Sequence, residues 1–391
     1  MTARSIAPRF ESLSAAQFYF ALVVSGIVTV LLGPVLPIIS ARWMLSDVQG
    51  GWLFTAQFSA SVVGSALSSY FPRKSVVLGF ASIGAGLAVL SAGHYRAALL
   101  AFALIGMGIG LAVSAINLIF GTEYPERRGS LLTRANLCWG IGAVLAPQFV
   151  ALAEHRHALR LFLVALSLCC FAVFASFSPL LGAGKVDVRG TGPKARVSGV
   201  RAGPLMFGLF SAIMFLYVGV ETTIAGWIAT YVHRLNAVSL ARASLFVSVF
   251  WISLVTGRGL VVGLLRVFPE RLVLLGGLAA ALGGVGTLLF PHGVATALGA
   301  VIVAGLGCAP IYPLSVARML ARTGRTRHVG WAFAICGSGG AVVPWVTGVI
   351  SEHGGGLRMA FLAPLTALAG ILVCVLIEGR MNRQESGLGQ S

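Results

Sequence analysis

One acidic residue lies inside an apolar run that is long enough to cross a bilayer. Residues 204–231 read PLMFGLFSAIMFLYVGVETTIAGWIATY, with Glu221 near the middle. About 20 such residues span the hydrocarbon core as a helix. An unpaired carboxylate at that depth is costly, so burial favours the neutral acid, which can release its proton once water reaches it. We therefore expect Glu221 to lie in a transport site and to carry a coupling proton.

The surroundings of Glu221 leave two other interpretations open. Tyr217 lies one helical turn earlier and shares the same helix face. The acid could stay permanently protonated, with a hydrogen bond to Tyr217 or to a neighbouring helix. It could also bind a substrate hydroxyl without moving a proton.

Arg258 is a second charged residue inside an apolar run. Counting residues from the expected helix ends, with a rise of about 1.5 Å per residue, places it roughly 15 Å from Glu221 in depth. That separation predicts no ion pair between the two side chains. We expect Arg258 to snorkel or to bond to helix ends near an inner gate, with substrate contact as the alternative.

Neutral polar and aromatic residues within the apolar runs could line a binding cavity. Amide side chains both donate and accept hydrogen bonds, and indole rings can stack on the C–H face of a sugar. These properties favour a small neutral sugar or polyol as substrate. The alternative is that amides bridge helices and tryptophans fill grooves. With Tyr217 and Glu221, the candidate substrate-binding residues are Gln57, Asn117, Asn136, Trp139, Trp251 and Trp331.

Composition identifies a membrane protein with many spans. Hydrophobic residues make up 57% of the chain and charged residues 10%. The net charge of +17 is spread between apolar runs rather than gathered in a patch with aromatics, which argues against a nucleic-acid partner. The six cysteines lie within apolar runs and no metal-ligand spacing is present, so we expect no metal or other cofactor. No phosphate-binding loop is present, which leaves secondary transport and argues against an enzyme.

Twelve apolar runs predict twelve transmembrane helices in an all-α protein. With the N-terminus in the cytoplasm, 20 of the 28 Lys and Arg residues fall on the cytoplasmic side and seven on the outer side. This bias predicts a protein of the cytoplasmic membrane with both termini inside. Residues 182–203 are rich in Gly and basic residues, so we expect a linker between an N-terminal six-helix bundle (1–181) and a C-terminal one (204–391).

The two predicted halves resemble each other at an offset of 197 residues. YFPRKSVVLGF at 70–80 aligns with VFPERLVLLGG at 267–277, and GIGAVLAP at 140–147 aligns with GSGGAVVP at 337–344. Gly108 and Gly110 match Gly305 and Gly307 at the same offset. One offset for three separated blocks predicts two parallel repeats related by an axis along the membrane normal.

The chain resembles the major facilitator superfamily along its whole length. The loop after the second span keeps a degraded form of the family's Gly-x-x-x-Asp-Arg-x-Gly-x-Arg-Arg motif, with Ser68 in place of the acid. YVGVETTIAGWIATY and FWISLVTGR resemble the fucose-permease-like branch of sugar porters, as do GLGCAPIYP and GSGGAVVPWVTG. The resemblance implies alternating access, with Gly64, Arg73 and Lys74, besides Arg258, as gating candidates. Ser68 argues against the family's usual salt-linked gate.

The favoured function is proton-coupled symport of a sugar or polyol by a monomer that contacts only substrate, protons and membrane lipid. A proton-driven exporter of amphipathic drugs or lipids is the first alternative, and an uncoupled facilitator the second. Converging amides would favour the sugar, whereas an apolar cavity open to lipid would favour export. A non-transporting sensor built on the same fold is a third alternative.

Overall fold

The computed structural model describes residues 15–123, 128–182, 204–236, 238–290, 293–323 and 327–388. Within these ranges the chain folds into α-helices and one short 3₁₀ helix, Ser178–Gly182, without strands. The predicted linker 182–203 lies outside the described residues except for Gly182. The α-helices are α1 Ala15–Val30, α2 Leu32–Trp43, α3 Asp47–Ser68, α4 Pro72–Leu90, α5 Tyr95–Glu123, α6 Arg128–His155, α7 Leu159–Phe177, α8 Pro204–Asn236, α9 Leu240–Leu264, α10 Glu270–Leu288, α11 Val294–Cys308, α12 Ile311–Thr323, α13 Arg327–His353, α14 Leu357–Ala360 and α15 Leu362–Leu388.

The described helices make twelve crossings when the broken ones are joined. Nine segments are long and apolar enough to cross a membrane, and the bent pair α1–α2 makes a tenth. Helices α3 and α13 complete the set. Both are long helices, and they pack against each other between the two halves. The predicted all-α fold with two six-helix bundles is confirmed.

The first span is broken between α1 and α2, with a bend of 40°. Pro34 lies in the first turn of α2 and Pro37 within it, and neither can donate a backbone hydrogen bond. Helix α2 ends at Met44 in the left-handed conformation, and Ser46 then caps α3 in a capping box with Gln49. The sequence therefore bends this span and turns the chain tightly into the next.

Close helix packing at glycines repeats in the two halves. An added methyl group at Gly142 of α6 would meet the Val23 carbonyl of α1, and one at Gly339 of α13 would meet the Phe215 carbonyl of α8. This pair keeps the predicted offset of 197 residues.

The other glycine matches shift slightly. Gly79 packs on Gly108, and the equivalent contact in the second half joins Gly277 to Gly307. The contact in the second half therefore lies one residue beyond Gly276 and two beyond Gly305, the positions that the sequence offset matches to Gly79 and Gly108. The loops and helices between the matched blocks differ in length, so a single offset cannot serve them all.

The two halves meet tightly at one end of the molecule, the closed end, where α2 ends and α3 begins, α8 ends and α9 begins, and α13 ends and α14 begins. An added methyl group at Gly33 would collide with the Ala225 carbonyl across the interface, and one at Gly51 with the backbone of Trp345. The hydroxyl of Thr55 donates to the Ala341 carbonyl over 2.9 Å. The opposite end, where α3 is followed by α4 and α9 by α10, is called the open end.

Candidate functional site

A cavity of about 730 Å³ lies between the halves, from the middle of the helices toward the open end. Asn117 and Arg258 lie within about two turns of the helix ends on that side. Both halves contribute to the wall, through α1, α5 and α6 on one side and α8, α9 and α12 on the other. The lining residues are Leu22, Val113, Asn117, Ala135, Asn136, Trp139, Tyr217, Val218, Glu221, Arg258, Tyr312, Pro313, Val316 and Ala317.

Glu221 and Arg258 form an ion pair in the cavity wall. The guanidinium Nη2 lies 3.8 Å from the carboxylate Oε2, and the side chains are 19% and 36% exposed for Glu221 and Arg258 respectively. The sequence-based expectation of no ion pair was wrong. Helix α8 continues to Asn236, so Glu221 lies at mid-helix. Counting back from the end of α8 and forward from the start of α9 at Leu240, at about 1.5 Å per residue, leaves only about 5 Å between the depths of the two residues. Arg258 therefore lines the cavity.

Several polar atoms around this ion pair lack hydrogen-bond partners. Within the described part of the chain, the buried Nε of Arg258 and the buried hydroxyl of Tyr217 make no hydrogen bond of ordinary geometry, although Tyr217 lies close enough to interact with both Glu221 and Arg258. The ring of Tyr217 packs on that of Tyr312 at 5.5 Å, and both tyrosines interact electrostatically with Glu221 and Arg258. Buried polar groups in native proteins are nearly always paired, so these atoms mark a place where a ligand can bind.

The wall from the first half offers amides and one indole. Asn117 and Asn136 both line the cavity, and the Asn136 Nδ2 also donates to the Leu132 carbonyl over 2.9 Å. Trp139 lines it too, with its outer edge held against Trp251 of the other half at 5.3 Å in an edge-to-face arrangement. Three of the predicted substrate-binding residues of the first half are thus brought together.

Other predicted residues lie elsewhere. Gln57 is buried, and its amide donates to the Thr29 carbonyl in the last turn of α1, where the break leaves carbonyl groups without helical partners. Gln57 thus supports the bend and lies outside the cavity lining. Trp251 is buried behind Trp139. Trp331 belongs to α13, but its side chain lies outside the described residues.

The predicted gating residues Gly64, Arg73 and Lys74 lie at the open end within the first half. Gly64 is buried and packs so closely on the Met107 backbone of α5 that a methyl group would collide with it. Arg73 and Lys74 occupy the first turn of α4. The hydroxyl of Ser68, at the family's acidic position, donates to the Ser65 carbonyl over 2.7 Å.

A charged cluster joins the halves at the closed end, and sequence reasoning missed it. Arg234 donates two hydrogen bonds to Asp47, of 2.8 and 2.7 Å, and the hydroxyl of Ser351 donates to the same carboxylate. The backbone N–H of Val48 donates to Glu352 over 3.0 Å and holds the pKa of that exposed carboxyl below its ordinary value. We call these five residues the closed-end latch. Their charges lie at turns, where sequence alone gives no sign of pairing.

A second acid is more deeply buried than Glu221. Glu378 of α15 is 1% exposed and pairs with Arg318 of α12 at 3.0 Å, and Arg318 also lies 3.1 Å from Glu270. This burial was not predicted, because Glu378 lies at the end of an apolar run in the sequence. This second cluster lies within the C-terminal half at the open end, outside the cavity lining.

Among the described residues, no group of three or more His, Cys, Asp or Glu side chains is placed to hold a metal ion. The chemistry of the site therefore depends on one carboxylate, one guanidinium, two phenols, two amides and an indole.

Comparison with known proteins identifies the family. The model of the Major Facilitator Superfamily matches residues 18–326. The chain belongs to this superfamily. Among curated proteins, Bypass of stop codon protein 6 of Saccharomyces cerevisiae is 22% identical over 375 residues, covering 84% of this chain and 75% of the yeast protein.

Solved structures of superfamily members share the fold. A bacterial homolog of the human lysosomal transporter Spinster, in an inward-facing and occupied conformation, gives a TM-score of 0.71 at 16% identity, covering 96% of this chain and 98% of that one. The peptide transporter POT in complex with sulfate gives 0.77 at 14% identity, covering 94% and 95%. FucP in the outward conformation gives 0.62 at 17% identity, covering 93% and 98%. The chain is therefore an integral membrane transporter that binds a small-molecule substrate, and not an enzyme.

Proposed function

We propose that this superfamily member is a proton-coupled secondary transporter of a small hydroxylated solute, a sugar or polyol, with Glu221 as the proton-binding group. The observation that carries the proposal is the Glu221–Arg258 pair in the wall of a cavity between the two halves. Charges at that depth are costly and mark functional sites in transporters.

The proton acts by controlling this ion pair. Glu221 lies beside the guanidinium of Arg258 in the cavity wall. Protonation of Glu221 removes the negative partner of Arg258 and leaves the guanidinium free to bind another group. Substrate and proton then enter together, and each promotes binding of the other.

In an alternating-access transporter, the open end of the cavity faces one side of the membrane at a time. The bias of basic residues favours an outer position for the closed end and cytoplasmic termini in the cytoplasmic membrane. The structure then corresponds to a conformation open to the cytoplasm, with the closed-end latch shut. Opening of the latch and closure around the cavity would expose the same site to the outside. Gly64, Arg73 and Lys74 are placed at the end that must close in that step.

The cavity wall supports a hydroxylated solute. Asn117 and Asn136 offer donors and acceptors to hydroxyl groups, and Trp139 offers a flat ring for the C–H face of a sugar. Together, the amides and the indole ring favour a solute that has both hydroxyl groups and an apolar C–H face. The proposal also includes contact with membrane lipid and a monomeric state of the protein.

A second candidate, a proton-driven exporter of amphipathic compounds, is favoured by the apolar part of the lining. Leu22, Val113, Val218 and Val316 contribute aliphatic side chains to the same cavity. An amphipathic cation would place its charge beside Glu221 and compete with Arg258 for it.

Proton movement in proteoliposomes distinguishes the two candidates. Wild-type protein and Glu221→Gln are reconstituted, and the outside pH is recorded while sugars, polyols, their carboxylate derivatives or lipophilic cations are added. We expect alkalinisation with at least one of the hydroxylated solutes, and its loss in Glu221→Gln. Unchanged proton-coupled uptake in Glu221→Gln would refute the role of Glu221, and a response to lipophilic cations alone would favour the exporter.

A further inference from the structure

We propose that the transported solute carries a carboxylate, which binds Arg258 in place of Glu221 when Glu221 is protonated. This inference rests on the proposed function, because it assigns the substrate class of the same cavity. It narrows the small hydroxylated solute to one that also carries a carboxylate, such as a sugar acid or another hydroxylated organic acid.

The geometry of Arg258 leaves room for a better partner than Glu221. The carboxylate of Glu221 approaches it at 3.8 Å, longer than a charge-assisted hydrogen bond, and the guanidinium Nε has no partner among the described residues. A guanidinium offers five N–H donors in a planar fork that fits a carboxylate through two parallel hydrogen bonds. The side chain also keeps 36% of its surface exposed in the cavity.

Charge balance selects an anion over a neutral solute. Among the described lining residues, Arg258 is the one cation and Glu221 the one anion. If a proton and a neutral solute bind, the cavity holds an uncompensated guanidinium during a transition through the membrane, which is costly. If a proton and a monocarboxylate bind, the cavity stays neutral because the substrate replaces the charge that the proton removed.

The remaining groups that face the pair do not supply another charge. Tyr217 on α8, Cys308 on α11, Tyr312 on α12 and Cys336 on α13 interact electrostatically with Glu221. The described walls from α1, α5 and α6 contribute amides, apolar side chains and an indole. The carboxylate would therefore meet Arg258 and the phenol of Tyr217, while Asn117, Asn136 and Trp139 contact the rest of the molecule.

The test uses matched pairs of solutes that differ only by a carboxylate against a CH₂OH group. The pairs are gluconate and sorbitol, lactate and propane-1,2-diol, and benzoate and benzyl alcohol. Purified protein in proteoliposomes is given each solute while internal pH and an imposed potassium diffusion potential are controlled. We expect proton-coupled uptake of at least one carboxylate, little uptake of its alcohol, and no change with membrane potential because proton and anion cancel.

Arginine variants separate the site from general effects of lost charge. Arg258→Gln should abolish carboxylate uptake, whereas Arg266→Gln, at an exposed position beyond the end of α9, should retain it. Because Arg258→Gln could fail to fold, Glu221→Gln provides a second test by binding in detergent. Carboxylate binding to the wild type should tighten by up to about tenfold for each pH unit of acidification, because one proton is linked to one anion. Binding to Glu221→Gln should be independent of pH and as tight as the wild type at its most acidic.

Three results have distinct meanings. Uptake of an alcohol with protons, sensitive to membrane potential and unaffected by its carboxylate partner, would overturn the carboxylate assignment and leave the proposed transporter intact. Carboxylate binding to Glu221→Gln that is as weak as in the wild type at high pH would also overturn it. No proton movement with any of the six solutes, together with a response to a lipophilic cation, would overturn both proposals.

Discussion

The closed-end latch makes a quantitative prediction about the balance between conformations. Asp47→Asn removes the charge of the carboxylate that accepts two hydrogen bonds from Arg234. These hydrogen bonds join the first turn of α3 to the end of α8. A hydrogen bond to a charged group contributes about 1.5–3 kcal/mol when it is protected from water. Arg234 is 43% exposed, so solvent screening reduces this to about 1–2 kcal/mol for the pair. The population that is open at this end should rise by a factor of about 5–30.

A matched ion pair at the same end provides the control. Arg42 and Glu154 lie 2.6 Å apart with exposed fractions of 45% and 13%, close to the 43% and 11% of Arg234 and Asp47. The control pair lies within the first half, whereas Asp47 and Arg234 join the two halves. Glu154→Gln should therefore remove a surface ion pair of similar exposure and leave the balance between the two conformations unchanged.

Distances between spin labels across the closed end measure the effect. Labels at exposed positions 41 and 353, in a protein without its native cysteines, report on the two halves in nanodiscs. We expect a longer-distance population in Asp47→Asn, the same population in Arg234→Gln, and no further gain in the double variant. Equal distance distributions for Asp47→Asn and the wild type, or an equal shift in Glu154→Gln, would refute the argument.

Three further predictions concern other described contacts. Gly33→Ala should open the same end and slow transport, because its methyl group collides with Ala225 across the interface; the same spin-label distances test it. Acid should loosen the contact of Glu352 with the start of α3. The contact is fully stabilising above the ordinary carboxyl pKa of 4.5 and is lost as the pH falls through the lowered pKa of Glu352. The spin-label distances recorded from pH 7 to 3 should therefore lengthen, and lengthening that begins above pH 4.5 would contradict the assignment. Glu378→Gln should destabilise the protein by about 1–3 kcal/mol, because it removes one of the two acids that pair with the partly buried Arg318. Glu270→Gln, at a position 43% exposed, should cost less. Thermal unfolding of the two variants in detergent compares these losses of stability, and equal losses would count against the reasoning.

The fold was predictable from the sequence because a membrane imposes simple rules. Length and polarity of the apolar runs, with the repeat, predict two bundles of six helices, and the structure has them. The break in the first span at Leu31 precedes Pro34 by three residues, and proline is the residue type that interrupts helices. These features depend on short stretches of sequence and on the absence of water from the membrane interior.

The site was predicted only in part, because depth and direction depend on helix ends and packing. Glu221, Asn117 and Trp139 line the cavity, and their roles in binding stay predictions. The ion pair with Arg258 was missed because α8 extends five residues further than its apolar run, to Asn236, which moves Glu221 to mid-helix. Gln57 points to a helix break rather than to the cavity, a choice that a helical pattern cannot reveal.

The closed-end latch was invisible for a different reason. Asp47 and Arg234 are 187 residues apart and each lies at the end of an apolar helix, where a charge is expected for solvation alone. Only the packing of one half against the other brings them together.

The exposure of the latch makes the transporter responsive to the medium that bathes this end. Its charges are in contact with water, so dissolved salt screens them, and the Debye length shortens from about 30 Å at 0.01 M ionic strength to about 10 Å at 0.1 M. The Glu221–Arg258 pair lies inside the cavity between the two bundles and is screened much less. Dilute surroundings would then favour the closed conformation of this end, and saline ones would weaken it. The ionic strength on that side would in this way influence how readily the carrier cycles.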